Sequence, residues 1–242
     1  MSLWEPPDLA AMRVSYDAGE LRRDEVSADP LHQFQRWLVQ AREAGLAEPN
    51  AMILASCDGS GEVTARTVLL KAADERGFTF FTNYTSRKAR AIAEHPEVSM
   101  VFPWFAMHRQ VIVVGRAQKV ADSETADYFS SRPRGSQLAA WASRQSTELT
   151  GRKELEARMA ALEQRWPEPT PVPVPDFWGG YLVRADSVEF WHGRVSRLHD
   201  RLRYVPRDQG VPRDQGDAGD QAAIPPPRLD DEAAWEVLRL AP

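Results

Sequence analysis

Between Ala51 and Ala121 the sequence abandons helical spacing for five short runs rich in Val, Ile, Phe and Thr, at residues 51–57, 63–70, 78–82, 98–102 and 110–118. Asp58-Gly59-Ser60-Gly61 and Glu75-Arg76-Gly77 supply turns between them. Closely spaced short strands of this kind bury one face only by curling into a meander or barrel. A single helix interrupts, starting near Ser86 and running to about His95-Pro96.

The flanks fit around such a barrel. Residues 1–28 read as a polar arm with a short helix around 9–16. Asp29-Pro30 then offers an N-cap and a proline at the first helical position. Leu31, Phe34, Leu38 and Ala41 recur at helical spacing and Gly45 closes the helix. Helical signals return at 123–131, 137–143 and 150–166, until a proline-rich connector at 167–175 stops them. Strands are predicted at 178–184, 187–191, 197–205 and 235–240. The stretch 205–227 holds a tandem Val-Pro-Arg-Asp-Gln-Gly, at 205–210 and 211–216, and reads as a mobile polar loop. The fold class is therefore α+β: one barrel-like domain over 29–242 with peripheral helices.

Composition removes several function classes. A chain of 242 residues needs no covalent staple, and the lone Cys57 excludes an intramolecular disulfide or a cysteine-rich zinc site. With 30 basic and 35 acidic side chains, a net charge of −5 argues against a general nucleic-acid binder. No apolar run approaches the roughly 18 residues of a membrane span, and the first eight residues carry no secretory leader, so the expected compartment is the cytoplasm. No Gly-x-Gly-x-x-Gly follows a strand and no Walker-type loop is present. His32, His95 and His108 show no ligand spacing, so no metal is expected. Cys57 and Trp191 read as core residues.

Four groups of residues can carry chemistry. Arg66 and Lys71 are five apart on one strand, so alternation sends them to opposite faces unless a bulge intervenes. They are either an exposed arginine and a strand-end lysine or two separate anion sites. Thr82-Asn83 followed by Ser86-Arg87-Lys88 places two cations in a first helical turn, where they oppose the helix dipole and favour an anionic partner. Tyr128 and Arg132 are four apart on a helix that Pro133 ends, and Ser136 falls in the next first turn. That corner either gathers a phenol, a guanidinium, a hydroxyl and free amides or is a plain surface turn. Arg197, His199 and Arg201 project from one face of the run 197–205, over about 13 Å. The face is either solvated or enclosed against anions, and histidine suits proton transfer near neutrality.

Together these residues resemble the pyridoxamine 5'-phosphate oxidase family. The matching stretches begin with Arg66-Thr-Val-Leu-Leu-Lys71, Thr82-Asn83 with Ser86-Arg87-Lys88, and Phe102-Pro103-Trp104 leading to Arg109-Gln110-Val111. They continue with Tyr128-Phe-Ser-Ser-Arg132-Pro-Arg-Gly-Ser136-Gln137, Trp141, Gln145-Ser146 and Phe177-Trp-Gly-Gly180. Glu189-Phe-Trp191, Arg197-Leu-His-Asp-Arg201 and the ending Arg239-Leu-Ala-Pro242 complete the set. The likeness covers nearly the whole chain from Arg13 onward.

The resemblance implies a split β-barrel that is homodimeric, with FMN at the subunit interface. By matching position, Arg66, Thr67, Val68, Leu69, Leu70 and Lys71, with Phe81, Thr82, Arg87 and Lys88, would border the flavin. Arg66, Arg87, Lys88 and Thr82 would hold its phosphate and ribityl chain. Gln110, Gln145, Ser146, Trp191 and Arg201 would complete that site, some from the partner subunit. Lys71, Tyr128, Arg132 and Ser136 would bind the substrate phosphate. Arg197 and His199 would lie against the substrate ring as the catalytic pair, while Arg13 and Tyr16 belong to a closing arm. The implied reaction oxidises pyridoxine or pyridoxamine 5'-phosphate to pyridoxal 5'-phosphate. Hydride passes from the substrate C4' to flavin N5 and dioxygen is reduced to hydrogen peroxide; the amine substrate also releases ammonia. Two other readings are a split-barrel flavin or deazaflavin reductase with another substrate, and a non-enzymatic carrier of pyridoxal phosphate. The substrate-phosphate set argues against the first and the flavin set against the second. No nucleic-acid or membrane partner is implied, and Arg194 adds a cation without an assigned place.

Overall fold

The computed structural model describes Asp8, Leu9, Tyr16, residues 19–207 and residues 226–242. The arm helix expected at 9–16 and Arg13 fall outside these, apart from Leu9 and Tyr16, as does the repeat segment apart from its ends.

The first helix, α1 (Pro30–Glu43), begins as its sequence dictates: the Asp29 carboxylate accepts the His32 N–H at 2.9 Å. Gly45, at φ +74°, lets the chain leave the helix where a side chain would be strained. Leu31, Phe34, Trp37 and Ala41 form its buried stripe. Eight strands follow among the described residues: β1 (Ala51–Cys57), β2 (Val63–Asp74), β3 (Gly77–Asn83), β4 (Glu97–Trp104), β5 (Arg109–Lys119), β6 (Trp178–His192), β7 (Asp200–Pro206) and β8 (Trp235–Leu240). Their order is β3-β2-β1-β4-β5-β6-β7-β8, and β3 also pairs with β6. All pairs are antiparallel, so six strands close into a barrel and β7 and β8 extend from β6.

The barrel interior is filled by alternate residues such as Met52, Leu54, Phe78, Phe80, Met100, Phe102 and Val111. Helix α1 packs onto this core through Phe34, whose ring lies 5.1 Å from Phe78 and 4.9 Å from Phe102. Four further α-helices among the described residues are peripheral: α2 (Arg87–Glu94), α3 (Asp122–Ser131), α4 (Arg134–Ala142) and α5 (Arg152–Arg165). The connector after α5 returns the chain to β6, which traverses the barrel.

Three local expectations are corrected. The runs 178–184 and 187–191 are one strand, with Asp186 absorbed as a bulge where Val114 pairs with Ser187 and Gly115 with Ala185. The run 197–205 starts as a strand only at Asp200. Val195–Arg197 form a 3-10 turn in which Ser196 and Arg197 have φ of 56° and 61°, so strand alternation does not order Arg197, His199 and Arg201 on one face. Finally, a bulge does fall on Lys71, since Leu70 pairs with Phe80 and Ala72 with Thr79. The five-residue spacing from Arg66 therefore does not by itself assign Lys71 a face.

Candidate functional site

The predicted site residues fall into three groups. The first is a cradle at the start of α2. The Ser86 side chain caps the helix by accepting the Ala89 N–H. Lys88 folds back, and its ammonium donates to Thr82 Oγ1 at 3.0 Å, Gln145 Oε1 at 3.1 Å and Ser86 Oγ at 3.2 Å. Arg66, opposite Leu54 in the barrel wall, donates to the Leu54 carbonyl at 3.0 Å and to Ser56 Oγ at 2.9 Å. The Arg87 backbone N–H reaches Ser146 Oγ at 3.1 Å, while its guanidinium pairs with Glu62. Burial, with Arg66 close by, pulls the Lys88 ammonium down to about 8. No carboxylate pairs with Lys88 or Arg66 among the described residues. Two half-buried cations facing only neutral oxygens favour an anionic ligand. A flavin phosphate fits it.

The second group sits on the other side of β3, since Phe81 and Thr82 are successive strand residues. Tyr128 stacks on Phe81, ring centroids 4.0 Å apart, and lies nearly parallel to Trp178 at 6.2 Å. Pro133 forces Arg132 out of α3 into extended backbone (φ −74°, ψ 146°), so Tyr128 and Arg132 do not share a helical face as expected. They meet instead at Trp178, over whose ring the Arg132 guanidinium lies at 4.6 Å. Arg132 Nη1 is buried without a partner, and burial depresses the guanidinium pKa. Ser136 occupies the third position of α4. Lys71 is exposed on β2, beside β3.

The third group lies at the far end of β6. Gln110 and Arg201 flank Trp191 on the neighbouring strands. His199 sits 4.6 Å from the Trp191 ring, and Tyr16 lies 5.8 Å from His199 and 4.5 Å from His108. Trp191 is thus half-buried in a cavity of about 300 Å3 with Tyr16, Phe105, His108, Arg109 and Gln110, and is not the core residue expected. Cys57 is likewise only half-buried, at the end of β1. Gly193 makes room for Tyr16: a Cβ there would stand 3.0 Å from the Tyr16 ring and 3.1 Å from His108 Cβ. His199 Nδ1 accepts the Arg194 N–H at 3.1 Å, and partial burial and Arg197 lower its pKa. Arg201 is clamped by Glu189 at 2.7 and 3.2 Å. Arg194 finds its place by pairing with Glu20 at 3.0 Å and Asp200 at 3.7 Å.

Sequence reasoning missed Phe105, His108, Gly193 and Trp178. Only the aromatic Phe102-Pro103-Trp104-Phe105 run and the Trp178-Gly179-Gly180 step hinted at them. Thr67, Val68, Leu69 and Leu70 form the strand between Arg66 and Lys71, with Leu70 buried.

Through Thr82 and Gln110, groups one and three meet β6 at opposite ends. Thr82 pairs with Gly179 and Gln110 with Trp191, twelve residues further along β6, a strand contour of about 40 Å.

Two family models match the chain. Residues 38–166 match pyridoxamine 5'-phosphate oxidase, and residues 178–242 match the pyridoxine 5'-phosphate oxidase C-terminal dimerisation region. Curated relatives include a pyridoxine/pyridoxamine 5'-phosphate oxidase of Frankia alni, 52% identical over 82% of this chain and 83% of the relative. One from Rubrobacter xylanophilus is 52% identical over 84% and 93%. Among solved structures, PhzG from Burkholderia lata, in complex with tetrahydrophenazine-1-carboxylic acid, superposes with a TM-score of 0.78. It is 28% identical and covers 95% of this chain and 100% of that one. A pyridoxamine 5'-phosphate oxidase-related, FMN-binding protein of Nostoc punctiforme shares the fold, at a TM-score of 0.63 and 14% identity over 90% and 100%.

Proposed function

The chain belongs to the pyridoxamine 5'-phosphate oxidase family, and on that premise we propose that it oxidises pyridoxamine or pyridoxine 5'-phosphate to pyridoxal 5'-phosphate on FMN. One observation carries the reading: the fold builds two separate sites whose central cations, Lys88 with Arg66 in one and Arg132 in the other, pair with no carboxylate among the described residues, as a phosphorylated cofactor and a phosphorylated substrate would require. A reductase with an unphosphorylated substrate has no use for the second, and a carrier has no use for the first.

Arg66, Arg87, Lys88, Thr82, Gln145 and Ser146 would hold the flavin phosphate and ribityl chain. FMN held there would supply the redox chemistry, a hydride acceptor for the substrate C4' with dioxygen as the final oxidant and hydrogen peroxide as its product. Tyr128, Arg132, Ser136 and Lys71 hold the substrate phosphate. Gln110, Trp191, Arg197, His199 and Arg201, gathered around the other end of β6 from Thr82, act from the partner subunit of a homodimer, with Tyr16 closing over them. The family match to a dimerisation region over 178–242, which contains β6, β7 and β8, supports that division.

His199 has a defined part. Its Nδ1 is occupied as an acceptor, so the neutral ring carries its proton on Nε2. Partial burial and Arg197 lower its pKa and so favour the neutral ring, which acts as a donor that orients the substrate ring. Arg197 supplies the fixed positive charge beside it. Chemistry then depends on holding C4' at near-attack distance.

An anaerobic visible spectrum of the FMN-loaded protein tests the function. Bleaching of the flavin band on adding pyridoxine 5'-phosphate is the expected result. A band unchanged by both pyridoxine and pyridoxamine 5'-phosphate overturns the substrate assignment.

A further inference from the structure

We propose that Trp178 is a positioning residue for the substrate phosphate, setting Arg132 and Tyr128 through its ring. The inference rests on the reading of Arg132 as a phosphate ligand and adds a residue to it.

Arg132 has no helix to hold it, because its backbone is already extended at the end of α3. Arginine carries many rotamers, so an arginine on such a corner is ordinarily a mobile surface charge. Here the guanidinium is fixed against an indole face at 4.6 Å, and no carboxylate pairs with it among the described residues. Trp178 itself is 6% exposed and opens β6, where it pairs with Asn83 of β3. Its ring is stacked 5.5 Å from Phe81 at 17°, and Phe129 meets it edge-on at 5.2 Å. The platform is therefore rigid from both sides. It also lies 9° from parallel with Tyr128 at 6.2 Å, with Phe81 stacked against both rings, so the indole acts on Tyr128 together with Phe81.

An aromatic face is the partner that holds a guanidinium without neutralising it. A carboxylate in the same place would fix Arg132 equally well and then compete with the substrate. Arg132 Nη1, buried and without a hydrogen-bond partner, shows that the indole leaves the guanidinium's hydrogen-bonding capacity unspent.

The test is a double-mutant cycle with steady-state kinetics on the FMN-loaded enzyme. Arg132→Gln alone is expected to raise KM for pyridoxine 5'-phosphate about 100-fold. Trp178→Phe keeps the packing but weakens the cationic platform, and is expected to raise KM about 5-fold with kcat held within about 2-fold. In the Arg132→Gln background the same change should leave KM within about 2-fold. FMN affinity and Tm serve as the structural readouts, and Trp178→Phe should leave FMN affinity unchanged. If Arg132→Gln leaves KM unaltered, the phosphate reading of Arg132 fails, and the platform with it. If Arg132→Gln raises KM but Trp178→Phe does not, or raises it equally in both backgrounds, only the platform is overturned.

Discussion

Replacing Lys88 with methionine keeps the aliphatic stem and removes a charge that no carboxylate pairs with among the described residues. In the free protein that charge is poorly placed. Its three partners are neutral oxygens at 3.0 to 3.2 Å, Arg66 is near, and its pKa has fallen to about 8. Losing it removes three hydrogen bonds but also relieves the burial of a charge with no paired carboxylate, so the two effects offset and Tm should change little. The cofactor loses a charge-assisted hydrogen bond to its phosphate, worth about 1.5–3 kcal/mol net, so Kd for FMN should rise about 10- to 150-fold. Titrating apo-protein with FMN and following quenching of flavin fluorescence measures this directly. The pH dependence gives a second, independent signature. An unfolded lysine titrates near 10.4, so between about 8 and that value the folded apo-protein binds fewer protons, and its stability rises with pH. FMN affinity falls over the same window, because the anion needs the charged lysine. Lys88→Met should abolish both trends. A variant that binds FMN as tightly as the wild type, with the same pH profile, would refute the assignment of the cradle.

Arg197→Ala and His199→Ala should each cut turnover far more than FMN affinity; unchanged turnover in both removes them from the mechanism. Phe34→Ala deletes a fully buried ring contacting Phe78 and Phe102, and should destabilise the protein by about 3–5 kcal/mol in urea unfolding; a loss below about 1 kcal/mol would mean that α1 is not part of the core.

The barrel was legible in the sequence because its signals are local. Asp29, Pro30 and Gly45 punctuate α1, and the turn glycines separate strands whose period is short. The cradle was legible for the same reason: Thr82, Ser86, Arg87 and Lys88 lie within one loop and a helix start. The reach of β6 was not, because Asp186 is absorbed by a bulge that only the register with β5 reveals. Nor was the turn at Ser196 and Arg197, where non-glycine residues take positive φ with no composition cue. Trp178 escaped notice because its role depends on contacts more than 40 positions away in sequence, with Arg132 and Tyr128. Gly193 escaped because an isolated glycine does not say what approaches it.

The central claim, that each site is assembled from the cradle and phosphate corner of one chain and the Trp191 end of another, is tested by subunit complementation. One chain carries Lys88→Met with Arg132→Gln, the other Arg197→Ala with His199→Ala, and each homodimer alone is inactive. In a mixed dimer both defects fall in one site and the other is intact, so equal mixing with free exchange should restore about a quarter of wild-type activity per chain. Mixed dimers that form, as shown by pull-down through two different tags, yet recover no activity would place both groups in the same chain and contradict the account.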